Sequence, residues 1–207
     1  MARIVTDPSV DFRIRSSAVW VLGRLKKLGP FKKADALQPL LVALADSNHF
    51  LRGEAARSLG VLRDTRATAR LIQVMRGDLD AMVRQSAAQA LGSLGRPKAI
   101  RALREVIKDQ GQDSGLRGTA AEALGSCFAY ESAAELVAGL SDLSPEVRFW
   151  SAYALGAMKV KSAVAELKRL AAEDDAEVPG WWSVSREAAR AIAEIRGEAS
   201  PAATGPI

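Results

Sequence analysis

The sequence predicts an all-α chain folded as a right-handed solenoid of five helix pairs and a final lone helix, and three observations predict it. The first is a ten-residue unit, Val83-Arg84-Gln85-Ser86-Ala87-Ala88-Gln89-Ala90-Leu91-Gly92, that recurs along nearly the whole length. Its closing pair has counterparts at Leu22-Gly23, Leu59-Gly60, Leu124-Gly125 and Leu155-Gly156, and a sixth at Ile192-Ala193. The second is the Arg standing seven residues before each of these Leu residues: Arg15, Arg52, Arg84, Arg117 and Arg148, with Ser185 in the sixth copy. The third is a fixed downstream interval, since Leu59, Leu91, Leu124 and Leu155 are each followed twelve residues later by Leu71, Leu103, Leu136 and Leu167. A fixed interval means a fixed two-element unit, and self-similarity at roughly 30 to 35 residues marks a solenoid.

Within each unit the first element is a helix. Val83, Ala87, Ala90, Leu91 and Leu94 follow helical spacing as one apolar stripe, with Gln85, Ser86 and Gln89 facing away. Four residues before each Arg stands a helix-starting residue, Asp11, Asn48, Asp80, Asp113 or Ser144. Their side-chain oxygens suit them to accept from unpaired first-turn amides, and Pro145 fits the first helical position. The second helix carries Leu71, Leu103, Leu136 or Leu167 and ends near an Asp: Asp46, Asp78, Asp109, Asp142 or Asp174. Two places break the register. Six residues are inserted in the first repeat around Gly29-Pro30-Phe31-Lys32-Lys33, and the interval from Leu167 to Ile192 is 25 residues where its equivalents are 19 to 21. The extra length falls at Glu173 to Trp182. The last helix, about Ser185 to Arg196, reads as a polar cap bearing Arg186, Glu187, Arg190 and Glu194. One solenoid domain over 1–197 and a disordered tail over 198–207 are expected.

The Asp and the Arg opening the next repeat lie six residues apart at Asp46/Arg52, Asp78/Arg84 and Asp142/Arg148. Together with the cap, the aliphatic-Arg pair, Ala-Ala and Leu-Gly, this pattern resembles the HEAT-repeat family, specifically its short variant named after phycobilisome bilin lyases. The resemblance covers about residues 7–197. It implies an armadillo-like superhelix in which such Asp and Arg residues form a structural ladder and the second helices line the concave surface. It also implies several kinds of function, because the wider group includes bilin lyases, a di-iron hydroxylase, a DNA glycosylase and binding scaffolds. The hydroxylase uses repeated His-Glu pairs, of which this chain has none, so that activity is not expected.

Composition narrows the classes further. The chain has 48% hydrophobic but only 5% aromatic residues, so its core is aliphatic and Ala-rich. No run approaches the ~20 apolar residues of a membrane span, the first residues lack a hydrophobic signal region, and a cytoplasmic protein is expected. A single Cys127 cannot form an internal disulfide, and the single His49 excludes a site needing two imidazoles. No cofactor or metal is called for. The net charge of +5 is uneven: residues 1–78 hold 14 Lys and Arg against 7 Asp and Glu, whereas residues 142–207 hold 8 against 10.

Two surfaces stand out as partner-binding candidates. Arg70, Arg76, Arg101, Arg104 and Lys108 occupy positions of the second helices facing away from the Leu stripe, with Gln73, Glu105, Lys168 and Arg169. On the fifth repeat Phe149, Trp150 and Tyr153 stand where the third repeat has Gln85, Ser86 and Gln89, beside the lengthened connection that carries Trp181 and Trp182. Either that loop covers the aromatics as a lid or they dock a partner. Trp20 holds the same outward position in the first repeat, where Phe31 could meet it. The expected function is a non-catalytic scaffold binding a protein partner. The alternatives are a bilin lyase-like accessory subunit holding an acidic tetrapyrrole, and nucleic-acid binding through the basic N-terminal half. The sequence leaves the oligomeric state open.

Overall fold

The computed structural model describes residues 1–24 and 33–198, and among them it contains twelve α-helices. Nearly all of the insert and of the expected tail lie outside the described residues. The helices are α1 (Ala2–Thr6), α2 (Phe12–Arg24), α3 (Lys33–Ala43), α4 (His49–Leu62), α5 (Thr68–Gly77), α6 (Ala81–Leu94), α7 (Pro97–Lys108), α8 (Ser114–Ser126), α9 (Ala133–Gly139), α10 (Pro145–Ala157), α11 (Val164–Glu173) and α12 (Val184–Arg196). Five pairs from α2/α3 to α10/α11 and the unpaired α12 match the repeat count. The short α1, which lies outside the repeat pattern, buries Val5. By contacts the chain falls into two compact units, Met1–Ala99 and Ile100–Ile207.

Capping residues start the first helices. Asn48 accepts from the amides of Phe50 and Leu51, Asp80 from Val83 and Asp113 from Leu116, while Asp11 accepts from Arg13. Ser144 departs from expectation, since its side chain caps nothing. Pro145 at the first helical position removes one of the amides that a cap would serve. Ser183, which the repeat pattern did not single out, caps α12 through Arg186.

The Leu-Gly repeat has a packing cause. In the first unit α2, α4 and α6 lie side by side, and in the second α8, α10 and α12 do the same. A Cβ at Gly60 would sit 2.9 Å from the Ala90 Cα, one at Gly125 2.6 Å from the Ala154 Cα, and one at Gly156 2.8 Å from the Ala191 Cα. Glycine is required because the next first helix lays its backbone there. The preceding Leu residues fill the space between helix layers, and Leu59, Leu91, Leu124 and Leu155 are fully buried.

The expected Asp-Arg ladder is present with a different wiring. Four of the five ladder Asp residues take the guanidinium of their own repeat's first helix: Arg15 with Asp46, Arg52 with Asp78, Arg117 with Asp142 and Arg148 with Asp174. The Arg six residues downstream instead reaches the Asp main chain. Arg52 Nη1 donates to the Asp46 carbonyl at 3.0 Å, Arg84 Nη1 to the Asp78 carbonyl at 2.9 Å, and Arg148 Nη1 to the Asp142 carbonyl at 2.8 Å. The carboxylates also accept from the amide two residues on, as at Asn48, Asp80 and Ser144. One Asp therefore fixes its own helix pair, the turn and the next helix. Burial pushes the Asp78 carboxyl up, but Arg52 and the Asp80 amide outweigh it and hold the group below the ordinary carboxylate range.

Candidate functional site

The lengthened connection after α11 folds back onto α10. Its ends are tied by main-chain bonds, Val184 N to the Ala176 carbonyl at 2.9 Å and Ser185 N to the Asp174 carbonyl at 2.7 Å. A single antiparallel bridge joins Glu177 to Ser183, and Val178 is buried beneath. Gly180, at φ 81°, turns the chain so that Trp181 and Trp182 meet α10.

Five rings result in one cluster. Phe149 lies 5.2 Å from Trp150, 5.9 Å from Trp181 and 6.1 Å from Trp182 by ring centroids. Trp150 packs edge-on against Tyr153 at 5.4 Å and against Trp181 at 5.1 Å. These edge-to-face arrangements suit the ring quadrupoles. Phe149, expected on the outward face, is instead only 1% exposed. The reason is that a stacked first helix has a neighbour on each side, so its covered arc is wider than one apolar stripe. Of the matching positions Gly53 and Gly118 are buried and Gln85 is half-buried, while Ser86, at the Trp150 position, is buried and accepts from Arg57 Nη1 at 3.1 Å. Gly118 leaves room for Trp150, since a Cβ there would lie 3.0 Å from its ring.

Beneath the rings sits a charged group that the sequence reading placed on the surface. Glu187 is fully buried, takes the Trp182 indole N–H at 2.9 Å on Oε2, and pairs with Arg190, which also holds Glu194. Burial pushes the Glu187 carboxyl up, against the pull of Arg190 and Trp182. The signal for this was available in the spacing, because Glu187 falls between Val184 and Ala188 and Ala191 on the apolar stripe of α12. Arg190 also lies over Tyr153 and Arg186 over Trp182, at 5.3 and 5.4 Å. A cleft of about 480 Å³ opens beside them, lined by Tyr153, Gly156, Lys159, Arg190 and Glu194. The outer surface of the cluster is shared by Trp150, Tyr153 and Trp182, all half-buried, and Trp181, which is 46% exposed.

The second-helix cations are less open than their spacing implied. In the second unit Arg104 is half-buried and donates to Glu135 Oε1 from Nε at 3.0 Å and Nη2 at 2.7 Å, with Lys108 3.8 Å from the same oxygen. Burial raises the Glu135 carboxyl pKa, yet Arg104 outweighs it and the net shift is downward. Arg101 is exposed on the same helix. In the first unit Arg70 and Arg76 are exposed, and Arg70 Nη1 donates to Gln73 at 2.9 Å. Elsewhere His49 is exposed, its ring tilted against that of Phe50 with centroids 4.1 Å apart, and Cys127 is half-buried with its thiol pushed up by that burial. Trp20 is 49% exposed beneath Arg24, while Phe31 lies outside the described residues.

A family model described as HEAT repeats matches residues 1–92, 37–124 and 109–181. The chain is 36% identical over 107 residues to phycocyanobilin lyase subunit alpha of Synechococcus elongatus, covering 48% of this chain and 37% of that protein. It is 31% identical over 110 residues to deoxyhypusine hydroxylase of Rattus norvegicus, covering 53% and 34%. The match thus spans little more than a third of the length of these curated relatives. Among solved structures, the complex of CpcE and CpcF of phycocyanin lyase from Nostoc sp. PCC7120 aligns with a TM-score of 0.63 at 24% identity, over 91% of this chain and 73% of that one. A designed armadillo repeat protein aligns with a TM-score of 0.52 at 16% identity, over 94% and 98%. These two show the fold. The expectation of a non-catalytic scaffold, with only a lyase-type accessory role left open, is corrected, because both curated relatives carry enzyme names and the family thus includes catalytic members. A di-iron centre does not fit the residues present: among the described residues no group of three or more His, Cys, Asp and Glu is placed to hold a metal ion. No described helix is long and apolar enough to cross a membrane. With family matches running from residue 1 to residue 181, the chain belongs to the HEAT-repeat family.

Proposed function

We propose that this chain is a HEAT-repeat subunit that holds a protein partner on the outer faces of Trp150, Tyr153, Trp181 and Trp182, with residues 1–197 acting as one repeat domain. The observation that carries this reading is the exposure of Trp181, 46% open although its ring touches three others. An indole fixed among rings offers contact area at little entropic cost, which is the character of an interface anchor. Arg186 and Lys159 at the margin favour a partner whose apolar side chain has acidic neighbours. The cations Arg70, Arg76, Arg101, Arg104 and Lys108 take a lesser part, because Arg104 and Lys108 already face Glu135. Paired capture from the native host tests this, with wild-type protein and Trp181→Ala as baits. A partner retained by the first and lost by the second supports the reading, and identical partner sets refute it.

A second reading is a lyase-type accessory role, supported by the likeness to a protein named as a lyase subunit. The same aromatics and Arg186 would then hold an acidic, flat tetrapyrrole. Mixing the chain with phycocyanobilin should shift the pigment's visible absorbance, and an unshifted spectrum removes this reading.

A further inference from the structure

The two units carry opposite charge. Residues 1–99 hold 17 Lys and Arg against 8 Asp and Glu, and residues 100–207 hold 12 against 16. Within the first unit the cations are not spread evenly. The connections from α4 to α5 and from α6 to α7 carry Arg63, Arg66 and Arg96, Lys98 lies in the first turn of α7, and Arg24 ends α2. The packing of the first helices brings these ends to one edge, because Gly23 lies against Ser58 and Gly60 against Ala90, which sets α2, α4 and α6 side by side with their C-terminal ends together. Neighbouring packed helices are about 8 to 10 Å apart, so successive cations fall within reach of successive phosphates on a flexible strand.

One further feature singles out this edge. Trp20 is half-exposed on the last turns of α2 with the Arg24 guanidinium 4.0 Å from its ring. The carboxylates that neighbour the edge in sequence, Glu54 and Asp64, are already engaged by Arg57 and Arg66, leaving Asp35 in the first turn of α3 exposed.

We propose that this edge of the first unit binds a single strand of nucleic acid, with Arg24, Arg63, Arg96 and Lys98 on its phosphates and Trp20 stacking on a base. Cations tracking a backbone beside an exposed aromatic ring are the elements of sequence-tolerant single-strand binding. Cations spaced one per helix end suit the regular phosphates of a strand, and the exposed indole beside them suits its bases. This site shares no residue with the aromatic cluster of the last repeat.

The test is fluorescence anisotropy of the full chain with a fluorescein-labelled, mixed-sequence, single-stranded DNA over a range of salt. Wild-type affinity should fall steeply with salt, and the double variant Arg96→Glu with Lys98→Glu should bind about tenfold more weakly with a salt slope reduced by about 1 to 2. Trp20→Ala should weaken binding by about tenfold with the slope unchanged. Lys168→Glu, on α11 of the other unit, should bind like wild type. Far-ultraviolet spectra matching wild type would assign the losses to the surface, because all of these residues lie on it. The proposal is overturned by absence of binding at low salt, by full affinity in the double variant, or by a Trp20→Ala protein indistinguishable from wild type. It is equally overturned if poly-glutamate displaces the DNA at equal charge concentration, or if the protein binds phosphatidylserine vesicles and not DNA.

Discussion

Arg148 and Asp174 are joined by two hydrogen bonds, Nε to Oδ2 at 2.6 Å and Nη2 to Oδ1 at 3.0 Å, and the pair joins the ladder to the aromatic cluster. Asp174 begins the loop that carries Trp181 and Trp182, while Phe149, the residue after Arg148, is the ring on which that loop closes. Removing the guanidinium should therefore loosen the loop as well as the helix pair. Arg148→Ala is expected to cost about 2 to 4 kcal/mol of stability, since it leaves a half-buried carboxylate without its partner. Acrylamide quenching should rise at Trp181 and Trp182. Unchanged quenching with lowered stability would show that the loop is held by other contacts.

The ladder also sets an acid limit. Arg148 holds the Asp174 carboxyl below its ordinary range, and Arg117 does the same at Asp142 despite burial, as Arg52 does at Asp78. A carboxyl whose folded pKa is depressed contributes stability above its unfolded value, near ~3.9, and loses it as pH falls through the folded value. Urea midpoints should hold steady from neutral pH down to about 4 and decline below that. In Asp78→Asn the midpoint should be lower at pH 7 and its decline below pH 4 shallower. Equal slopes in the two proteins would contradict this.

Glycine substitutions separate packing from helix propensity. Gly125→Ala places a methyl 2.6 Å from the Ala154 Cα and should destabilise the second unit by about 1 to 3 kcal/mol. Gly77→Ala, at the end of α5, meets nothing within 4 Å and should be neutral or stabilising by about 0.4 to 1 kcal/mol. Leu91→Ala, in a fully buried position, should cost about 2 to 5 kcal/mol. Denaturant melts of the three variants check the order.

Arg104→Glu would set two carboxylates together at Glu135, whose side chain is only 10% exposed. Stability should fall by about 1 to 3 kcal/mol, whereas Arg101→Glu, on the exposed side of the same helix, should change it little. Equal melting temperatures for both variants would mean that the Arg104 contact contributes nothing in solution.

The repeat made the fold legible, because a constant Leu-Gly, Arg and cap at constant spacing leaves one helix-pair geometry that satisfies all of them. The wiring of the ladder was not legible. Spacing shows that Asp and Arg recur six apart, but the guanidinium that reaches the carboxylate comes from a helix 25 to 31 residues earlier, and only packing decides between them. The aromatic site was half legible. The spacing left open whether the loop covers the aromatics or leaves them for a partner, and the five rings meet with Trp181 still 46% exposed. Phe149 was misplaced because a single-helix periodicity cannot register the neighbour on each flank. Glu187 was misplaced because its charge outweighed, in the reading, an apolar spacing that pointed inward.

The central claim is that the outer aromatic surface is where a partner sits, and site-specific photo-crosslinking in the native host tests it most directly. The photoreactive residue p-benzoylphenylalanine would replace Trp181 in one protein and Arg101 in another. The account predicts one predominant protein adduct at position 181, lost when Tyr153→Ala is added, and none at position 101. An adduct at position 101 with none at 181 would contradict it.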